Sequence, residues 1–198
     1  MNDVPSLVWA ANLGAIELHT LPVTRFEPER PLCVVFDLDP GPPAGLVECC
    51  RAALRLRGEL LERGMETFAK ASGSRGLHVV APTPGASFED TRALARSLAR
   101  TMAEREPGAM TDRPAPAARR GRVLIDWAQN GHRRSLVAPY SLRAATIPTA
   151  SVPLTWAEIE AAAETGDPDG LWFGPRRTLE RLRRVGDPFD PVAAPPRP

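Results

Sequence analysis

Two aspartates close the apolar run VVFDLDPG: Asp37 and Asp39, followed at once by Pro40-Gly41. Residues i and i+2 of an extended strand point to the same face, so both carboxylates leave the sheet together. Close carboxylates repel, and a divalent cation relieves the repulsion; hard oxygen ligands select magnesium or manganese. A strand end with two solvated acids ahead of a turn is the plainer alternative, and the DxD pattern alone does not choose. A third acid, Asp126, ends a separate apolar run, RVLID. A two-metal centre needs such a carboxylate, with one group bridging ions about 3.5–4 Å apart. The three acids together therefore favour a metal site over unrelated turn residues.

Other segments could serve phosphate. SGSRGLH, residues 72–78, gathers Ser72, Arg75 and His78 around two glycines. A turn of this kind can offer backbone N–H groups to phosphate oxygens, with Arg75 adding charge, although a glycine-rich hairpin has the same appearance. Arg113, Arg119, Arg120, Arg122, Arg133, Arg134 and Arg143 surround Asp126 in sequence, with Asp112 as the other nearby acid. That local excess suits a polyphosphate or nucleic-acid backbone. The plainer reading is a solvated surface in an arginine-rich chain. The arginines at 176, 177, 181, 183 and 184 fall at helical spacings and read as a solvated or partner-facing helix.

The elements that must hold these residues follow from periodicity and punctuation. Ser6–Leu13 reads as a helix ended by Gly14, and Ile16–Leu21 alternates as a half-buried strand bearing Glu17 and His19 on one face. Leu32–Asp39 is a strand, 44–63 a helix, and Phe68–Ser72 and Leu77–Ala81 are strands either side of SGSRG. Ser87 with Asp90 and Thr155 with Glu158 form capping boxes, opening helices to about Glu106 and Glu164. Pro107–Arg120 reads as a loop. Val123–Trp127 and Ser135–Ala138 flank Asn130-Gly131, the dipeptide of type I′ hairpin turns. A basic helix is expected over Pro175–Arg184. The fold class is α+β, a mixed β-sheet with flanking helices. Residues 1–186 form a single domain, and the Pro-rich 187–198 a tail.

Composition excludes several classes. The 198 residues are 43% hydrophobic and 25% charged, ordinary globular values. No apolar run nears the roughly 20 residues that span a bilayer, and the N-terminus lacks the basic start of a signal peptide. The net charge of +1 implies no polyanionic partner by itself. Lys70 is the single lysine among 25 basic residues. Three cysteines without a CxxC suggest neither disulfides nor zinc, so a reducing cytoplasm is expected.

Taken in order, AANLGAIELH, VVFDLDPG, ASGSRGLHVVAP, GRVLIDWAQN and APYSLRA resemble the polymerase domain of bacterial ligase D, of the archaeo-eukaryotic primase superfamily. The resemblance covers roughly residues 6–160. It implies a primase-like core on an RRM-like sheet, and addition of nucleotides, preferentially ribonucleotides, to a DNA 3′-OH in non-homologous end joining. It implies a two-metal site of Mn²⁺ or Mg²⁺ on Asp37, Asp39 and Asp126. By the same resemblance His19, Ser72, Arg75, His78, Arg119, Gln129 and Arg143 bind the nucleotide. Arg75 stands where the family usually has lysine, which alters phosphate geometry. DNA ends and NTP or dNTP are the implied substrates, with a Ku-like protein and a separate DNA ligase as implied partners.

That family carries a further N-terminal segment ahead of the point where this chain begins. Weakened recognition of 5′-phosphorylated ends is therefore expected. An apolar patch near Leu7, Val8 and Trp9, covered by a second copy or a partner polypeptide, is expected with it. Two other readings stand beside the enzyme. One is a non-catalytic nucleotide- or DNA-end-binding accessory built on the same core. The other is a haloacid-dehalogenase-like phosphatase, whose strand-DxD this chain resembles, but Pro40-Gly41 and the isolated Asp126 fit that family poorly.

Overall fold

Alternation along one strand explains the layering of the computed structural model, which describes residues 3–189 and 192. β2 (Cys33–Pro40) sends Val34, Phe36 and Leu38 to one face, where they are buried with residues of α2 (Leu46–Leu61) and α3 (Phe88–Arg105). Its other face carries Cys33 and Val35 at the start of the strand and Asp37 and Asp39 at the end. The strand is thus apolar on both sides where it begins and acidic on one side where it finishes.

On one side of β2 lies β4 (Leu77–Pro82), in a hairpin with β3 (Phe68–Ala71). On the other lies β6 (Val123–Asp126). Two-residue strands β5 (Met110–Thr111) and β10 (Pro153–Leu154) complete a six-stranded sheet of order β10-β3-β4-β2-β6-β5. β5 runs parallel to β6 and every other pair is antiparallel, so the sheet is mixed and the chain α+β, as expected. α5 (Trp156–Thr165) packs on α2. Two small ribbons stand beside the sheet: β1 (His19–Thr20) with β7 (Leu136–Val137), and β8 (Leu142–Arg143) with β9 (Thr149–Ala150). Both expected capping boxes form, with Ser87 Oγ accepting from the Asp90 N–H and Glu158 accepting from the Thr155 N–H.

The Asn130-Gly131 hairpin does not form. Trp127–Asn130 is a 3₁₀ turn, and β7 pairs with β1 rather than with β6. A type I′ turn needs positive φ at both central residues, whereas Gly131 has φ −103°. The cause is the burial of Asn130. Its Oδ1 accepts the Val35 N–H at 2.8 Å and its Nδ2 donates to the Val35 carbonyl at 2.6 Å and the Trp127 carbonyl at 3.0 Å. One carboxamide thereby replaces a strand partner for β2 where β6 has turned away.

Other expectations shift as well. The alternating run Ile16–Leu21 contributes only His19–Thr20 to a ladder. The loop 107–120 contains β5 and a short helix α4 (Pro116–Arg119). The basic helix α6 (Pro175–Val185) is not simply solvated: Arg181 is buried against Glu158 and over the Phe173 ring, and Arg177 donates to the Asp169, Gly170 and Trp172 carbonyls. Past residue 186 the chain still contacts the body of the domain. Asp187 accepts the Tyr140 hydroxyl at 2.7 Å, and Phe189 packs edge-on against Phe68. The rest of the expected tail, save residue 192, lies outside the described residues.

The apolar surface expected near the first helix is present. Asp3 caps α1 (Val4–Asn12), of which only Ala10 is buried, while Leu7, Val8 and Trp9 are 49–64% exposed. Among the described residues no helix is long and apolar enough to cross a membrane.

Removing the Asn130 carboxamide strands the Val35 N–H and C=O inside the sheet. Asn130→Ala should therefore lower stability by about 2–3 kcal/mol in urea denaturation, the cost of orphaning buried backbone groups.

Candidate active site

Register brings the site together. Lys70 on β3 lies opposite His78 on β4, His78 opposite Asp37 on β2, and Asp37 opposite Asp126 on β6. Opposed residues of antiparallel strands share a face, so four ionisable side chains form one row across four strands. Asp39 is on the same face one step further along β2. The three expected carboxylates are thus on one side of one sheet. Among the described residues, however, no three Asp, Glu, His or Cys side chains are gathered tightly enough to enclose an ion as they stand.

The row carries its own compensation. Lys70 Nζ donates to Ser151 Oγ at 2.7 Å, and that hydroxyl donates to the Ala71 carbonyl at 2.8 Å. His78 Nε2 lies 3.3 Å from Asp37 Oδ1. Burial pushes the Asp37 carboxyl up, but His78, Lys70 and Arg119 together outweigh burial and hold it below its ordinary value. Asp39 and Asp126 go the other way. Burial raises both, and the charge of Asp37 adds to it, against Arg119 for Asp39 and the Ala128 N–H for Asp126. Burial, with Lys70 beside it, pushes His78 down, against the pull of Asp37.

The glycine hairpin sits against the same end of β2. Ser72 Oγ accepts the N–H groups of Ser74 and Gly76, both at 3.2 Å, so this buried hydroxyl organises the turn from inside. A Cβ at Gly76 would overlap the Leu38 carbonyl, and one at Gly73 (φ +72°) would lie 2.7 Å from Ala150 and from the Arg143 side chain. The hairpin is therefore wedged between β2 and the β8–β9 ribbon, with Arg75 exposed at its tip. Arg75, Arg119 and Arg120 line a cavity of about 370 Å³ beside Pro40 and Gly41, and Arg119 Nη2 approaches Asp39 Oδ2 at 3.6 Å.

Glu17 joins two further expected residues. Its Oε1 accepts the Ala144 N–H at 2.8 Å and lies 3.6 Å from Arg143 Nε, while its Oε2 lies 3.4 Å from His19 Nε2. His19 and Arg143 are thereby held by one carboxylate. Gln129 stands on the 3₁₀ turn after Asp126, part-buried.

Comparison with known proteins decides the family. The family model described as "LigD, primase-polymerase domain" matches residues 1–189. The chain belongs to the LigD primase-polymerase family. It is 33% identical over 198 residues to the multifunctional non-homologous end joining protein LigD of Mycolicibacterium smegmatis, a match covering 98% of this chain and 25% of that protein. It is 26% identical to the bifunctional non-homologous end joining protein LigD of Bacillus subtilis, over 94% of this chain and 30% of that protein. The chain thus spans between a quarter and a third of the length of these relatives. Among solved structures, the polymerase domain from Mycobacterium tuberculosis ligase D in complex with DNA superposes with a TM-score of 0.88 at 30% identity, over 98% of this chain and 70% of that one. The fold is accordingly primase-like, and the phosphatase comparison falls away.

Within this LigD-type fold, the arginines that surround Asp126 in sequence divide. Arg119 turns to Asp39, Arg134 brings charge towards Asp126, and Arg143 turns to Glu17. Arg113 and Arg122 line a separate cavity with α3. Two residues of the site escaped sequence reasoning. Glu17 shared a strand face with His19, a signal that could have paired them. Lys70 was conspicuous as the only lysine and stands two residues before Ser72, but its position opposite His78 comes only from strand pairing.

Burial pushes the Lys70 ammonium from its ordinary 10.5 down to about 7. Between those values the unfolded chain binds more protons at this group than the folded one, so Lys70 makes stability climb with rising pH. Lys70→Met should flatten that climb and leave the thermal midpoint at pH 7 unchanged or higher, measured by calorimetry across this range.

Proposed function

We propose that this chain is a nucleotidyltransferase that adds nucleotides, preferentially ribonucleotides, to a DNA 3′-OH during end-joining repair. The observation that carries the reading is the alignment of Asp37, Asp39 and Asp126 on one sheet face, beside an arginine-lined cavity and a glycine hairpin. A relative of the same fold is a ligase D polymerase domain in complex with DNA, which supports DNA as the acceptor. NTP or dNTP is the donor, and a Ku-like protein and a DNA ligase are the partners this reading implies.

The donor set suits Mn²⁺ or Mg²⁺. Three hard carboxylates are present, and two of them are raised by burial and mutual repulsion that a cation would relieve. Asp37, Asp39 and Asp126 would hold the metal. When bound it would act as a Lewis acid on the phosphoryl group and favour ionisation of the attacking hydroxyl. The protein's own groups do the rest. Arg75, Arg119 and Arg143 meet phosphate charge, the hairpin set by Ser72 carries Arg75 at its tip, and His19 shares the Glu17 carboxylate with Arg143. His78 holds Asp37 from within the sheet, and Gln129 stands on the turn that follows Asp126.

A second reading, a nucleotide- or DNA-end-binding accessory without turnover, draws on the fact that no three side chains among the described residues enclose an ion as they stand. Primer extension with manganese separates the two. The wild type should extend a primer, and Asp37→Ala and Asp126→Ala should each lower the rate by at least about 100-fold with the thermal midpoint retained. A wild type that binds nucleotide but never extends would establish the accessory. Glu17→Ala, which releases both His19 and Arg143, should raise the apparent nucleotide KM several-fold, about 1 kcal/mol of binding, with a smaller effect on kcat.

A further inference from the structure

The exposed side of α3 carries Arg92, Arg96 and Arg100 at i, i+4 and i+8. The helix rise spaces them about 6 Å apart along one ridge. The Arg92 and Arg96 guanidinium groups lie over the Trp127 indole, 5.4 and 5.2 Å from its centroid. Stacking of this kind holds the planar fork in place and leaves its N–H groups directed outward. At the other end of the ridge, Arg96 and Arg100 join Arg113 and Arg122 around a cavity of about 520 Å³ between α3, β5 and α4. Two acids share that cavity, Glu104 and Asp112, and Glu104 accepts from Arg100 at 2.8 Å.

On α2 and at the end of α3, arginines meet acids. Arg55 meets Glu106, Arg57 meets Glu160 and Arg105 meets Glu59. Among the described residues Arg92, Arg96, Arg113 and Arg122 have no carboxylate within ion-pair distance. Glu104 is taken up by Arg100 and Asp112 lies in the same cavity, so acids offset only part of the positive charge along this ridge. The ridge also has a direction. It begins at Trp127, the residue after Asp126, and follows the sheet edge that β5 covers only opposite Val123 and Leu124.

We propose that this arginine track binds the phosphate backbone of a single-stranded nucleic acid along the β5–β6 edge. Regularly spaced guanidinium groups, stacked on an indole and ending in a donor-lined cavity, match a ligand with repeating phosphates. An acidic peptide would present carboxylates on flexible arms without that spacing. The binding stands apart from catalysis and does not rest on the nucleotidyltransferase reading.

The test is fluorescence anisotropy of a labelled oligo-dT against the full chain, without metal or nucleotide, over a series of salt concentrations. Arg96→Gln/Arg113→Gln should weaken binding about 10-fold and reduce the slope of log K against log salt by about 1.4, or 0.7 for each lost phosphate contact. Arg176→Gln/Arg184→Gln on α6 removes the same charge elsewhere and should change affinity by less than about 2-fold, with both double variants melting as the wild type does. Equal loss in the two variants, no loss in either, or displacement of the oligonucleotide by polyglutamate at matched charge would overturn the proposal. Primer extension at saturating primer is read separately, so a chain that binds through the track yet never extends would refute the catalytic reading and leave this one standing.

Discussion

Two carboxylates face each other across paired strands, and most of the site is arranged around that fact. Asp37 and Asp126 are register partners on β2 and β6, with Asp39 one step away. Like charges directly opposite one another in a sheet are destabilising, and burial adds to the cost. The neighbouring strands supply the offset. His78 sits beside Asp37, Lys70 beside His78, and Arg119 reaches Asp39 from α4. The offset is incomplete, since Asp39 and Asp126 stay above their ordinary values. That unfavourable negative charge at one end of the sheet is what a cation would relieve under the proposed function.

The surroundings turn this charge into a shaped site by close backbone packing. The hairpin at residues 72–76 can lie on Leu38 only because Gly76 has no Cβ, and against Ala150 only because Gly73 lacks one and adopts positive φ. Gly41 likewise admits the Arg119 backbone. These three contacts fix where Arg75, Arg119 and Arg143 emerge. Glu17 then couples the β8–β9 ribbon to His19. Positioning here comes from steric fit and a few buried hydrogen bonds, which keep their geometry better than exposed ion pairs do.

The chain's arginines illustrate how little residue type says about role. Arg181 is buried structural cement, Arg177 ties down loop carbonyls, Arg119 attends a carboxylate, and Arg92 and Arg96 lie on an indole. All are the same residue in a chain that uses almost no lysine. Their surroundings, set by the fold, separate them.

Local rules were enough for much of this. The i, i+2 spacing put Asp37 and Asp39 on one face, the capping boxes at Ser87 and Thr155 opened the right helices, and the ordered motifs pointed to the family. These are properties of neighbouring residues, so they can be read along the chain. The tertiary structure decided what depends on distant partners. Asn130-Gly131 reads as a hairpin locally, but burial against Val35, 95 residues away, made Asn130 a substitute strand edge. Lys70 entered the site because strand pairing placed it opposite His78, and Glu17 because its carboxylate found the Ala144 N–H 127 residues on. Arg113 and Arg122 neighbour Asp126 in sequence, yet they line a separate cavity beside α3. Spacing along the chain determined which groups could act together; the register between strands, set by burial of the apolar face, determined which of them do.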